Sequence, residues 1–376
     1  MKVVSRVSSA RWYLTAVASV FALVVSVVQP QSAAAATITT LSSTVPANGD
    51  VNPYGVFRVP RSVGKLVRGN ILVSNFNNIS NLQGTGTTIV QISPTGAFSL
   101  FAQIDPNAPL PAICTGGVGL TTALVVLRSG WVIVGSLPTA DGTSPTAKAG
   151  CLLVLDWNGN VVETITEARI NGPWDMTVFD KTGDNGKVGE ATLFVTNVLN
   201  GTVQADGKVV HEGTVLRIVL NASTKIMPTV QSITTIGDGF SERTDSAALV
   251  IGPTGVALSK NNKILYVADS LNNRIAWIPD PLTRTTSIRN GMTLTRGGHL
   301  NDPLGLTLSV NGNILTANGD DGFMVETSPK GVQVAATLLD SSGSPPGSGA
   351  LFGLIDVPEL GVVYVDDATN TLNRLR

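Results

Sequence analysis

One pattern recurs along this chain and restricts its fold more than any bulk property does. Its clearest copy runs Gly252-Pro253-Thr254-Gly255-Val256-Ala257-Leu258-Ser259, then Lys263-Ile264-Leu265-Tyr266-Val267-Ala268-Asp269, then Asn272-Asn273-Arg274-Ile275-Ala276-Trp277-Ile278. It reads as strand, turn, strand, turn, strand, because short β-branched and aromatic runs alternate with Gly, Pro and Asn. The opening strand returns at 52–56, 116–120, 172–176, 302–306 and 350–354. The second returns at 71–75, 131–136, 193–197, 314–318 and 362–366, each copy ending on a small polar residue. Third strands follow at 88–92, 151–155, 214–219, 274–278, 322–326 and 371–375, and fourth strands at 97–102, 161–166, 229–236, 293–296 and 332–339.

A unit of four short antiparallel strands, repeated six times, predicts a six-bladed β-propeller. Apolar residues on both faces of a strand, as in Ile264–Val267, fit blades covered on both sides by their neighbours. The sixth unit lacks a fourth strand, since Arg376 follows Leu375. Thr37-Ile38-Thr39-Thr40-Leu41 is expected to supply it and close the ring, which removes an open sheet edge.

The segment before that strand has another character. Lys2, Arg6 and Arg11 precede an apolar run over 13–28, and Ala34-Ala35-Ala36 offers a cleavage site. This reads as a secretory signal peptide over 1–36, cut near Ala36, with a single domain over 37–376 and a secreted or periplasmic destination. A retained membrane anchor is the other reading, although the run is short of the roughly 20 apolar residues a spanning helix needs. Without Lys2, Arg6 and Arg11, the 25 basic residues become 22 against 26 acidic, a net charge of about −4. No Lys/Arg cluster lies on any one segment, which argues against nucleic acid as a partner. No later apolar run is long enough to insert the mature chain in a membrane, and it is expected to be monomeric. Cys114 and Cys151 are the only cysteines; in an exported protein they most simply form a disulfide, the other reading being two buried thiols.

The Gly252–Ile278 stretch resembles an NHL repeat through Pro253, Gly255, Val256, Ala257, Val267, Ala268, Asp269, Asn273, Arg274 and Ile275. Residues 302–318 match more loosely and 172–197 more loosely again. NHL-type propellers include protein- and RNA-binding modules, a copper-containing lyase and streptogramin-lyase-like enzymes. The neighbouring gluconolactonase-like propellers are metal-dependent lactonases. The resemblance therefore implies a fold and leaves the function open.

In a propeller, first strands start and second strands end at the same mouth of the central channel. Asn75, Ser136, Asn197, Asp269, Asn318 and Asp366 are expected to ring that mouth, either capping their own turns or touching a ligand. Insertions at 79–87, 137–150 and 199–213 crowd the same face over blades one to three, and loops are expected at 103–115 and 237–250. Trp174 and Asp175 stand where the template has Thr254 and Gly255; the indole is expected either to pack in the core or, if exposed, to stack on a ligand beside the carboxylate. The candidate ligand-binding residues are Trp174, Asp175, Asn75, Asn197, Asn318 and Asp366. Two histidines, His211 and His299, cannot by themselves build a His-rich zinc or copper centre. A calcium or magnesium ion would have to use oxygen donors, with Asp175, Asn197, Asn318 and Asp366 as the candidate set. The run Asp180–Glu190 has the Gly one place late for an EF-hand and reads as turn chemistry. No nucleophile motif or phosphate loop is present. The reading that results is a binding module for a protein, glycan or small ligand at the mouth face, without catalysis. The competing reading is a metal-assisted lactonase, hydrolase or lyase working in the channel.

Overall fold

The computed structural model describes Met1 and residues 36–112, 114–183, 185–246 and 248–376. The expected signal peptide falls almost wholly on residues outside that set. Residues 36–376 form one compact unit built from six antiparallel sheets, with no α-helix among the described residues.

Blade one comprises Val51–Arg58, Ile71–Asn77, Thr88–Ile92 and Phe98–Gln103. Blade two comprises Leu120–Val126, Val132–Ser136, Cys151–Leu155 and Val161–Ile165, and blade three Pro173–Asp180, Gly189–Asn197, Val210–Ala222 and Thr229–Asp245. Blade four is Pro253–Leu258, Ile264–Asp269, Arg274–Pro279 and Met292–Arg296, and blade five Pro303–Leu308, Ile314–Asn318, Phe323–Thr327 and Gln333–Leu338. Blade six is Leu351–Val357, Gly361–Asp366, Thr371–Leu375 and the N-terminal strand Ile38–Ser43. That last strand runs antiparallel to Thr371–Leu375, with Ile38 opposite Leu375 and Ser43 opposite Thr371. The ring is therefore closed between the two ends of the described domain.

Apolar side chains fill the spaces between blades. Ile133, Leu152 and Val154 of blade two pack with Leu193, Val195, Leu216 and Ile218 of blade three, all fully buried. Each such side chain contributes about 1.5–3 kcal/mol on burial. Around the axis, first strands of successive blades meet backbone to backbone. A Cβ on Gly305 would lie 1.9 Å from the Phe352 carbonyl oxygen, and one on Gly353 would lie 2.2 Å from that of Tyr54. The glycine recurring in the sequence unit thus marks a place with no room for a side chain.

Two expectations on strand limits need correction. The first strand of blade two is Leu120–Val126; the glycines before it form the entering loop, because the β-branched and apolar residues of Leu120–Val126, all buried, fill the blade interior better. The expected loop over 237–250 is strand as far as Asp245. It pairs with a third strand that starts at Val210, and Leu249–Ile251 then folds back on it, giving blade three a fifth strand.

The cysteines form a disulfide, Cys114–Cys151, with a Cα–Cα separation of 5.5 Å. It ties the loop entering blade two to the start of that blade's third strand.

Candidate functional site

The small polar residues that end the second strands are all buried, and most point into their own loops. The Asn75 amide donates to the Thr44 carbonyl (3.0 Å) and to Thr88 Oγ1 (3.2 Å). Ser136 Oγ donates to the Gly117 carbonyl (2.9 Å) and accepts from the Gly119 N–H (3.0 Å). Asp269 forms a buried ion pair with Arg274 at 2.5 Å. The Asn318 amide donates to the His299 carbonyl (2.8 Å) and to Asp321 Oδ1 (3.0 Å), and Asp366 Oδ1 accepts from the Thr369 N–H (3.1 Å). A side chain that stitches an incoming loop to a strand end leaves little for a ligand. Asn197 departs from the pattern: fully buried, its amide nitrogen and oxygen both lack a partner.

The channel is narrow. A cavity of about 130 Å³ is lined by the first strands of all six blades, including Val56, Leu124, Asp175, Val256, Leu306 and Leu354. Among the described residues, Asp175 is the one ionisable group in that lining. Its Oδ1 accepts from its neighbour Met176 (2.8 Å) and its Oδ2 from the Val256 N–H of blade four (3.0 Å). Burial raises its pKa to about 7, against the opposing pull of those two amides. Where blades one, four, five and six close on Gly55, Gly255, Gly305 and Gly353, blade three thus bridges to blade four through a carboxylate.

Trp174 is 3% exposed and packs in the core, the first of its two readings, and offers no accessible stacking surface. Its ring lies 6.3 Å from that of Tyr54, which stacks on Phe76 at 4.5 Å and on Phe352 at 3.9 Å. Leu304, Leu137, Val198, Leu249, Val250 and Ile251 belong to the same cluster. Tyr54, Trp174, Leu304 and Phe352 come from the mouth ends of four first strands, so this cluster fills the axis at the mouth. Leu249 enters it with a left-handed backbone, φ +62°, unfavourable for a branched side chain. The insertions hold that segment down. Ser144 Oγ donates to the Leu249 carbonyl (2.8 Å), and the Gln83 amide donates to the Ser246 carbonyl (2.9 Å).

The candidate oxygen set for a cation does not converge. Asp175 is held inside the channel wall, Asn318 and Asp366 bind their own loops, and no contact joins any two members of the set. Among the described residues, no group of three or more His, Cys, Asp or Glu is placed to hold a metal ion. The donor set therefore does not fit the divalent cation that a lactonase-like propeller implies. In the run Asp180–Glu190, Asp184 lies outside the described residues; Asp180 Oδ1 accepts from the Thr182 N–H (2.7 Å) and Asn185 Oδ1 from the Lys187 N–H (3.0 Å), both turn contacts.

Two features of the mouth escaped the sequence reading. Glu242, on the extended fourth strand of blade three, is fully buried; its Oε1 accepts from the Asn200 N–H (2.9 Å), its Oε2 has no partner, and burial raises its pKa to about 8. Further round, a recess of about 170 Å³ is lined by Arg243, Asp245, Asn273, Asn301, Asp302 and Asp320. Asp302 is pushed up to about 7, by burial first and then by Asp320 and Asp245, with Arg243 opposing. Asp367 is pushed up to about 7 by burial and Asp366, and burial also raises Asp320 and Asp366. These carboxylates come from the fourth strand of blade three, the connection into blade five and the second-strand ends and turns of blades five and six, so no one segment of the sequence displays them together.

No protein-family model matches the chain, and no curated protein does. Among solved structures, it is similar to the gluconolactonase XC5397 of Xanthomonas campestris, with a TM-score of 0.56, 12% identity, and coverage of 90% of this chain and 89% of that one. It is also similar to a calcium-binding protein, regucalcin, of Agrobacterium tumefaciens, with a TM-score of 0.53, 12% identity, and coverage of 89% and 92%. A luciferin-regenerating enzyme follows, with a TM-score of 0.50, 13% identity, and coverage of 90% and 95%. The chain shares with these structures the fold of a six-bladed β-propeller.

Proposed function

We propose that this protein is a binding module whose working surface is the mouth face. The observation that carries this reading is the plugged axis. The aromatic cluster fills the mouth, and the channel behind it holds about 130 Å³, below the roughly 300 Å³ where small-molecule sites begin. The loops around the plug are stitched together and present carboxylates whose pKa values are raised by burial first and then by one another. Such a surface favours a partner that brings positive charge, such as a Lys- or Arg-rich protein segment. The disulfide fits a protein exported to an oxidising compartment.

Calorimetric titration with octalysine tests this. Binding should strengthen as pH rises from 5.5 to 8, because Asp302 and Asp367 ionise near pH 7, and Asp302→Asn with Asp320→Asn should weaken it about tenfold at pH 8. No binding, or binding indifferent to that double substitution, refutes the reading.

One observation favours a second reading. A carboxyl group poised near pH 7 suits general acid–base chemistry, and gluconolactonase is among the proteins that share the fold. Hydrolysis of a δ-lactone that is abolished by Asp175→Asn would establish catalysis in the channel and displace the binding-module reading.

A further inference from the structure

The opposite face of the ring carries the other sign of charge. The hairpins joining first to second strands in blades one, two and three converge there on a cavity of about 650 Å³. Arg61 and Arg68 come from the first hairpin, Arg128 from the second and Lys181 from the third, with no carboxylate among the described residues of the lining. Pro60, Arg68 and Arg128 also border an adjoining cavity of about 300 Å³, whose floor is Phe57, Val59, Val126 and Val178. Two charged residues of that second lining are already engaged. Arg58 pairs with Glu359, and Asp180 accepts hydrogen bonds from the Arg128 N–H (2.5 Å) and from Thr182.

We propose that this groove is a binding site for an amphipathic organic anion. Its carboxylate or phosphate head would meet Arg61, Arg68, Arg128 and Lys181, and its apolar body would lie on Phe57, Val59, Val126 and Val178. Three observations support the assignment independently of the mouth face. First, among the described residues, the side chains of Arg61, Arg68 and Arg128 have no ion pair or hydrogen-bond partner, and Arg61 Nη1 is buried without one. A charged donor in that state is costly until an anion meets it, and guanidinium groups match carboxylate and phosphate geometry. Second, the walls are braced. The Ser129 N–H donates to Thr182 Oγ1 (3.1 Å), the Lys65 N–H to the Trp157 carbonyl (2.9 Å) and the Arg68 N–H to Ser62 Oγ (2.9 Å). The cations are therefore presented by a scaffold that needs little ordering on binding. Third, the volumes match small-molecule sites, and cationic and apolar linings share Pro60, Arg68 and Arg128, so head and body positions are contiguous. Asp184, next to the lining residue Gly183 in sequence, lies outside the described residues.

The test is calorimetry on the protein, with sodium decanoate and decyl phosphate as ligands and inorganic phosphate and decyltrimethylammonium as controls. One or both decyl anions should bind, and the difference between them reports which head group is preferred. Arg68→Glu with Arg128→Glu, both at exposed positions, should weaken binding at least about tenfold while leaving the melting temperature unchanged. Binding of neither decyl anion, or binding unaffected by the double charge reversal, overturns the site. Equal affinity for inorganic phosphate removes the apolar half of the proposal, and equal affinity for decyltrimethylammonium removes the anionic half.

Discussion

Asp175 offers the sharpest test of how this propeller is held together. Its carboxyl group titrates near pH 7 in the folded chain, against an ordinary 3.8. The folded state therefore holds a proton that the unfolded state has already lost. The stability this confers is complete below about pH 4 and declines as pH rises through 7. Between pH 5 and pH 8 the loss from this one group is about 2.5 kcal/mol, taking 1.36 kcal/mol per unit. Substituting Asn removes the titration but leaves one acceptor where Met176 and Val256 present two N–H donors, at a cost of about 1–2 kcal/mol at any pH. For a domain of about 340 residues, the entropy of unfolding near the midpoint is roughly 0.7 kcal/mol/K. Asp175→Asn should therefore melt about 2 °C below wild type at pH 5 and close to or above it at pH 8, a relative shift of about 3–4 °C. Asp302, Asp367 and Glu242 titrate alike in both proteins and cancel from that difference. Differential scanning calorimetry at the two pH values is sufficient. Melting curves that run parallel, with a constant gap, would refute the argument that Asp175 is protonated in the fold.

Two further outcomes are expected. Removing residues 37–44 deletes a strand with five register pairs to blade six, worth roughly 5 kcal/mol at about 1 kcal/mol per hydrogen bond, and should lower the melting temperature by about 7 °C; an unchanged value would mean that the strand contributes little to ring closure. Gly305→Ala places a Cβ 1.9 Å from the Phe352 carbonyl oxygen and should lower the urea midpoint by the equivalent of at least about 1–3 kcal/mol, whereas an unaffected midpoint would show that the first strands can separate at little cost.

The propeller was legible in the sequence because its unit is short, repeated and punctuated by residues with fixed backbone roles. The closing N-terminal strand was legible by subtraction, from a sixth unit one strand short. The limits of blade two were not, since Gly116–Gly119 imitates the opening motif while the better apolar run begins four residues later. The strand through Asp245 was hidden because its Gly, Ser, Glu and Arg residues look like loop until the partner strand from Val210 is seen beside them. Trp174 and Asp175 were read as one feature; strand alternation sends the indole into the mouth cluster and the carboxylate into the channel. The basic groove was illegible for a topological reason. Its four cations lie on three hairpins far apart in the chain, and only the ring brings them together.

The pairing of Ile38 with Leu375 also dictates an order of events in folding. A sheet made of the first and last strands cannot form until the whole chain is available, and the entropy of joining such distant segments must be met before any of its hydrogen bonds form. Blades one to five can each assemble from neighbouring strands, but the incipient ring has an unpaired edge until the two ends meet. The final step is thus a checkpoint: a ring that lacks either Ile38–Ser43 or Thr371–Leu375 keeps a sticky edge, and only their pairing seals it.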